Sequence, residues 1–265
     1  MRAALLVKTW RDHWRGFLAW CLGLAAMAAV QLSVYPSVQG SSDEMDAMLK
    51  NWPDLFQGMF SFEDYTTGPG FLNVELFSMM VPLVFIALAV SWGASATADE
   101  ERNGTADVLL TLPVSRTSVI VTKMLAMVVA LLGLGLVVAT VIAIGGPWVE
   151  ISISFLTLLG ACLASALLGL LFGAIAFLLG AATGKRAVAM GVAIGLALAS
   201  FLVKSLSAMV DTFDAINPYN PFQWALQRNP LVDPLLGSSA AWLTLLSIAV
   251  LTAAVRAFRR RDIPA

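Results

Sequence analysis

Few side chains in this 265-residue sequence can do chemistry, so they can be weighed one at a time. The single histidine, His13, cannot assemble a metal site or a triad by itself, and near the N-terminus it reads as an interfacial residue. Cys21 and Cys162 both fall in apolar runs, which argues against a disulfide framework or a metal cluster. The string Gly180 to Arg186, Gly-Ala-Ala-Thr-Gly-Lys-Arg, faintly resembles a phosphate-binding loop. Such a loop has four residues between its glycines and Ser or Thr after its lysine; here three intervene and Arg186 follows. An apolar helix precedes it, where a nucleotide site needs a buried strand. There is no nucleophile elbow, His-Glu-x-x-His zinc site or pair of catalytic carboxylates. No catalytic, cofactor-binding or metal-binding residue is therefore assigned, and any energy source belongs to another chain or to an ion gradient. Glu75 is the exception among the apolar runs. A carboxylate one turn inside such a run either lines a translocation path or simply reaches water.

Charge is concentrated in residues 98–116, ADEERNGTADVLLTLPVSR. Asp99, Glu100 and Glu101 end an apolar run in water, and Asn103-Gly104 is a turn signal. Thr105 is a good N-cap, and Asp107 lies favourably near the positive end of the helix that follows. Val108, Leu109 and Leu112 share one apolar face over about two turns. Pro113 ends that helix, because the residue before a proline is pushed out of helical geometry. Ser115 can cap the next run. So short a helix is unstable alone and needs a partner surface.

The elements that position these residues are dictated by composition. Hydrophobic residues make up 59% of the chain and charged residues 12%, about half the share usual for soluble domains. An all-α integral membrane protein is expected. Six runs approach the ~20 apolar residues a bilayer span requires: 17–35, 71–95, 118–145, 152–182, 187–209 and 239–257. The fourth is long enough to tilt or to project beyond the bilayer. No period-2 pattern suggests a barrel. Glycines four residues apart, at 169/173, 180/184 and 191/195, offer close helix approach, although a chain with 20 glycines contains some such pairs by chance. The whole of 1–265 reads as a single transmembrane domain.

Orientation follows from the basic residues. The N-terminal segment, the connections after the second and fourth runs with their flanks, and the tail hold 13 of the 16 lysines and arginines. The alternate loops hold only Lys50, Lys204 and Arg228, with ten acidic residues. Both termini and residues 98–116 are therefore expected in the cytoplasm of a multi-pass protein of the cell (inner or plasma) membrane. Residues 2–16 place Leu5, Leu6, Trp10 and Trp14, with Phe17 just beyond, near helical spacing among cations, as in an amphipathic helix on an anionic bilayer surface; we carry 1–16 as that surface helix. In the first outer loop, Met45, Met48, Leu49, Trp52, Leu55, Phe56, Met59 and Phe60 form a second helical stripe. In the last outer loop, Asn220 and Pro221 supply an N-cap and first-turn proline for a short helix over 221–228.

Glu100-Glu101-x-x-Gly104-Thr105-x-x-x-Leu109-x-x-x-Pro113-x-x-Arg116 resembles the motif between the second and third spans of ATP-binding-cassette permeases of the type-2 exporter class. The motif covers 17 residues. A basic surface helix, cytoplasmic termini and a proline-marked last outer loop extend the likeness over most of the chain. The resemblance implies six spans and a coupling helix within 100–116 that docks in a groove of a separate ATPase subunit. Glu100, Glu101, Gly104, Thr105, Val108, Leu109, Leu112, Pro113 and Arg116 are then its ATPase-coupling residues. It also implies two ATPase copies carrying ATP and Mg, and a second permease copy or homologous half. The chain itself would be non-catalytic and without a cofactor. The cargo would be a drug, antibiotic, lipid or similar amphiphile moved outward. No nucleic-acid partner is expected. An ion-coupled secondary transporter needs ionisable or discontinuous helices at mid-membrane, and the spans carry little charge apart from Glu75. A membrane scaffold leaves the capped, proline-terminated helix unexplained.

Overall fold

A computed structural model describes residues 2–41, 65–102, 116–207, 209–227, 229–233 and 235–260. All regular structure among them is helical, and six helices are long and apolar enough to cross a membrane: Leu6–Gly40, Gly68–Ala96, Ser118–Val149, Phe155–Thr183, Arg186–Leu206 and Gly237–Phe258. The stripe expected at 45–60 lies outside the described residues.

The first helix, α1 (Arg2–Gly40), is continuous for 39 residues. Residues 2–16 are helical as expected, but no break separates them from the span. At 1.5 Å per residue α1 is about 58 Å long, well beyond the ~30 Å bilayer core. Its buried residues from Cys21 on, Cys21, Leu24, Ala28, Leu32, Tyr35 and Val38, recur at three- and four-residue steps along one face, and Thr9 is buried a few turns earlier. Val7, Leu18, Leu22, Val30 and Val34 are exposed on the rest. One side of α1 packs on protein, and the other has the composition of a lipid-facing surface.

The second span is not one regular helix. A short α2 (Gly68–Leu72) runs into a π-helical turn at Asn73–Phe77, and α3 (Met80–Arg102) follows after a turn at 78–79. The Ser78 amide reaches back to the Asn73 carbonyl at 2.7 Å, the wide spacing of a π-turn, and Ser78 Oγ donates to the Val74 carbonyl. Pro82 sits in the first turn of α3, where a missing N–H costs little.

Next come α4 (Arg116–Gly145) with a 3-10 turn at Gly146–Val149, α5 (Phe155–Thr183) and α6 (Arg186–Leu206). Ser154 caps α5 by accepting from the Thr157 amide at 3.1 Å. Gly184, with φ of 67°, ends it in the left-handed conformation that favours glycine. The string expected to be a tight turn is one, Gly180 and Gly184 being joined by a helix-end hydrogen bond of 2.9 Å. A hairpin then forms from α7 (Asp211–Ile216), a 3-10 turn at Asn217–Tyr219 and α8 (Pro221–Leu226). The helix expected over 221–228 stops at Leu226, where Gln227 takes φ of 46° and accommodates no further turn. The last span is α9 (Gly237–Arg260).

The centre of the bundle is α5, and its closest neighbour is α3. A Cβ added at Gly169 would meet the Phe85 carbonyl oxygen at 2.9 Å, and one at Gly173 would meet Ala89 Cβ at 2.8 Å. The 169/173 pair thus joins two spans. Gly191 and Gly195 have nothing within 4 Å of an added Cβ.

Candidate functional site

Residues 103–115 connect α3 to α4 in the sequence and lie outside the described residues. Glu100 and Glu101 fall near the end of α3, and Arg116 opens α4. Gly104, Thr105, Val108, Leu109, Leu112 and Pro113 lie outside the described residues.

What holds the two bracketing helices is well defined. Lys123 Nζ of α4 donates to the Ala96 carbonyl of α3 at 2.7 Å. An ammonium on a carbonyl near a helix C-terminus is favourably placed against the helix dipole. From the other side, α1 delivers His13 and Trp10. His13 Nδ1 donates to the Thr9 carbonyl at 2.9 Å, while Nε2 lies 3.4 Å from Ser95 Oγ. The His13 ring packs 4.7 Å from Trp92, and Trp10 meets the same indole edge-on at 6.1 Å. His13 is therefore a packed, hydrogen-bonded residue at a helix interface. Ile120, Phe177 and Ala254 bury one another below Ala96, adding α4, α5 and α9 to the bracket. α3 is thus held on several sides at Trp92–Ala96, before its last turns.

A second polar cluster lies at the opposite end. Glu75 is half-buried on the π-turn; Tyr65 Oη donates to its Oε1 at 2.8 Å and Gln31 Nε2 to its Oε2 at 3.1 Å. Tyr35 Oη donates to the Thr66 carbonyl at 3.3 Å, and Tyr35 and Tyr65 both pack on Phe71. The carboxylate thereby joins α1, the 65–67 turn and the broken second span. Sequence reasoning singled out Glu75 without either donor. Gln31, an amide inside the first apolar run, was the available signal; Tyr65 had none, because a 34-residue separation from Gln31 hides their proximity.

Burial, and then the hydrogen bond to Glu75 and its charge, push the Tyr65 phenol above its ordinary range. A raised folded value means the contribution is complete below the unfolded value, about 10, and is lost as pH climbs beyond it. The thermal-stability difference between wild type and Tyr65→Phe should be flat from about pH 7 to 9 and shrink above about pH 10. A difference still constant at about pH 11 counts against the Tyr65–Glu75 contact.

The third cluster joins α6 to the hairpin. Asn220 caps α8 by accepting from the Phe222 amide at 3.0 Å, and it exchanges two further bonds with Ser200: Ser200 Oγ donates to Oδ1 at 2.5 Å and Nδ2 to the Ser200 carbonyl at 2.8 Å. Asn217 Nδ2 donates to Ser207 Oγ at 3.1 Å. The cap was legible in the sequence; its bonds to α6 were not.

Six helices apolar and long enough to cross a bilayer, with these polar clusters at the ends of the bundle, mark a multi-pass membrane protein. The chain belongs to the ABC-2 family of transporter proteins, whose family model matches residues 3–263. It is accordingly an ABC-type permease. No curated protein matches it.

Proposed function

We propose that this permease is the membrane subunit of an ATP-driven exporter that moves a drug, antibiotic, lipid or similar amphiphile out of the cell. Family membership over nearly the whole chain carries the reading. Two copies of a separate ATPase hold ATP and Mg and hydrolyse it. Two permeases, or this chain and a homologous half, face each other across the exit path in the inner or plasma membrane, with both termini in the cytoplasm. The segment 100–116 is the coupling helix with its flanks, and its site residues are those named above. The bracketing of α3 and α4 by Lys123, His13 and Trp92 supports this role, since a push on the segment reaches α3 with little slack. Glu75 lies where α3 gives way to the π-turn, the place at which such a push can change the exit. A broken span with a carboxylate also suits an ion-coupled transporter, but this break lies near one end of its span and not at mid-membrane.

Purified alone, the chain should show no ATP turnover; purified with an ATPase chain bearing Walker motifs, it should yield a particle with two of each subunit that hydrolyses ATP. Hydrolysis by contaminant-free permease, or an active particle containing one permease and no homologous half, overturns the proposal.

A further inference from the structure

Lys204 is the only basic side chain among the described residues to lie in a span at the end of the bundle away from the chain termini. It is half-buried in the last turn of α6, and among the described residues nothing pairs with its ammonium. An ionisable group in a span is costly without a partner or water, although the C-terminal end of a helix offsets part of that cost.

The surroundings specify what partner fits. Ser200, Lys204 and Ser207, spaced i, i+4 and i+7, share one face of α6. Both serines are bonded to the 217–220 turn, so Lys204 is directed to the same side. There Asn217, whose Nδ2 is engaged by Ser207, keeps a buried Oδ1 that accepts from nothing. A buried acceptor left open is costly and uncommon, and it invites a donor. Asp211 and Asp214 of the hairpin are exposed, and neither pairs with Lys204. Beside this polar frame the surface is apolar: Leu196, four residues before Ser200 on the same face of α6, and Ile216 and Tyr219 of the hairpin are all exposed.

A spare cation, a spare acceptor and an apolar border together match an amphiphile's head group and chain. We propose that Lys204 and Asn217 form a binding site for an anionic head group, a phosphate or carboxylate, whose chain lies along the exposed side of α6. Lys204 pairs with the anionic oxygens, and a hydroxyl or protonated oxygen of the same head group donates to Asn217 Oδ1. The source of that head group is either a bilayer lipid or the cargo; only the cargo source rests on the exporter reading.

The test uses full-length permease in neutral detergent and native mass spectrometry to count retained ligand. The probes are dioleoyl phosphatidylglycerol, dodecyl phosphate, and dioleoylglycerol, which has the same chains as the first and no anion. Lys204→Met should lower retention of the anions about tenfold or more, the scale of one lost charge-assisted hydrogen bond, and Lys204→Arg should keep it. Asn217→Asp, which offers the ammonium an internal carboxylate, should also lower it. Phosphatidylglycerol alone responding to Lys204 identifies a lipid site, and dodecyl phosphate alone a site for single-chain cargo; both outcomes support the head-group chemistry. Undiminished anion retention by a folded Lys204→Met, or equal retention of dioleoylglycerol, overturns it. The exporter reading fails separately, if no ATPase binds a permease that still retains the anion.

Discussion

Leu109→Asp is expected to strip the ATPase from the purified permease, or to reduce coupled hydrolysis by an order of magnitude or more. The reason lies in the local sequence. On the proposed coupling-helix reading, Gly104 and Pro113 bound a short helix capped by Thr105, whose Val108, Leu109 and Leu112 would otherwise face water. A two-turn helix gains its stability from what it packs against. Burying one leucine is worth about 1.5–3 kcal/mol, and aspartate both forfeits that and brings an unpaired charge into the groove. Since about 1.4 kcal/mol is a factor of ten, either loss alone reaches the expected effect. Glu101 and Arg116 should give smaller losses, as charges at the rim of an interface do. Leu110→Asp, on the far side of the same helical turn, is the control and should retain the partner. The measurement is co-purification and substrate-stimulated hydrolysis, with monodispersity in detergent as the check on folding. If Leu109→Asp keeps both, 103–115 is only a solvated connection.

Gly93→Ala should prevent accumulation of folded permease or lower its thermal transition markedly. A Cβ at Gly93 would land on the carbonyl oxygen of Gly173 and crowd the Phe177 amide. Both are backbone atoms of α5, so no side chain can rotate away. The relief is for α3 and α5 to move apart, which disturbs Phe85, Ala89 and Trp92 along the same seam. Overpacking of this kind costs about 1–3 kcal/mol and sometimes more. Gly195→Ala is the matched comparison, since nothing lies within 4 Å of its added Cβ; there alanine's helix propensity, about 1 kcal/mol better than glycine's, should leave stability unchanged or raised. Thermal unfolding of the two variants in the same detergent decides the matter. Equal transitions would remove α3–α5 contact as the organising seam of the bundle.

The sequence by itself determined that the chain is all-helical with six spans, because a chain this apolar must satisfy its backbone within the bilayer. It also determined the Asn220–Pro221 helix start and the Gly184 turn, each of which rests on local chemistry. The coupling segment is read from sequence alone, its capped and proline-ended core lying outside the described residues. Only the tertiary structure decided which glycines pack. The 169/173 and 191/195 pairs look alike in sequence, yet one joins two helices and the other faces open space. It likewise decided that α1 runs unbroken through residue 17, that the second span breaks at 73–79, and that Glu75 is held by Tyr65 and Gln31. The reason is common to all of these. In water the apolar face of a helix marks its neighbour, whereas in a bilayer lipid and protein demand the same side chains, so composition gives the spans and conceals which of their faces meet.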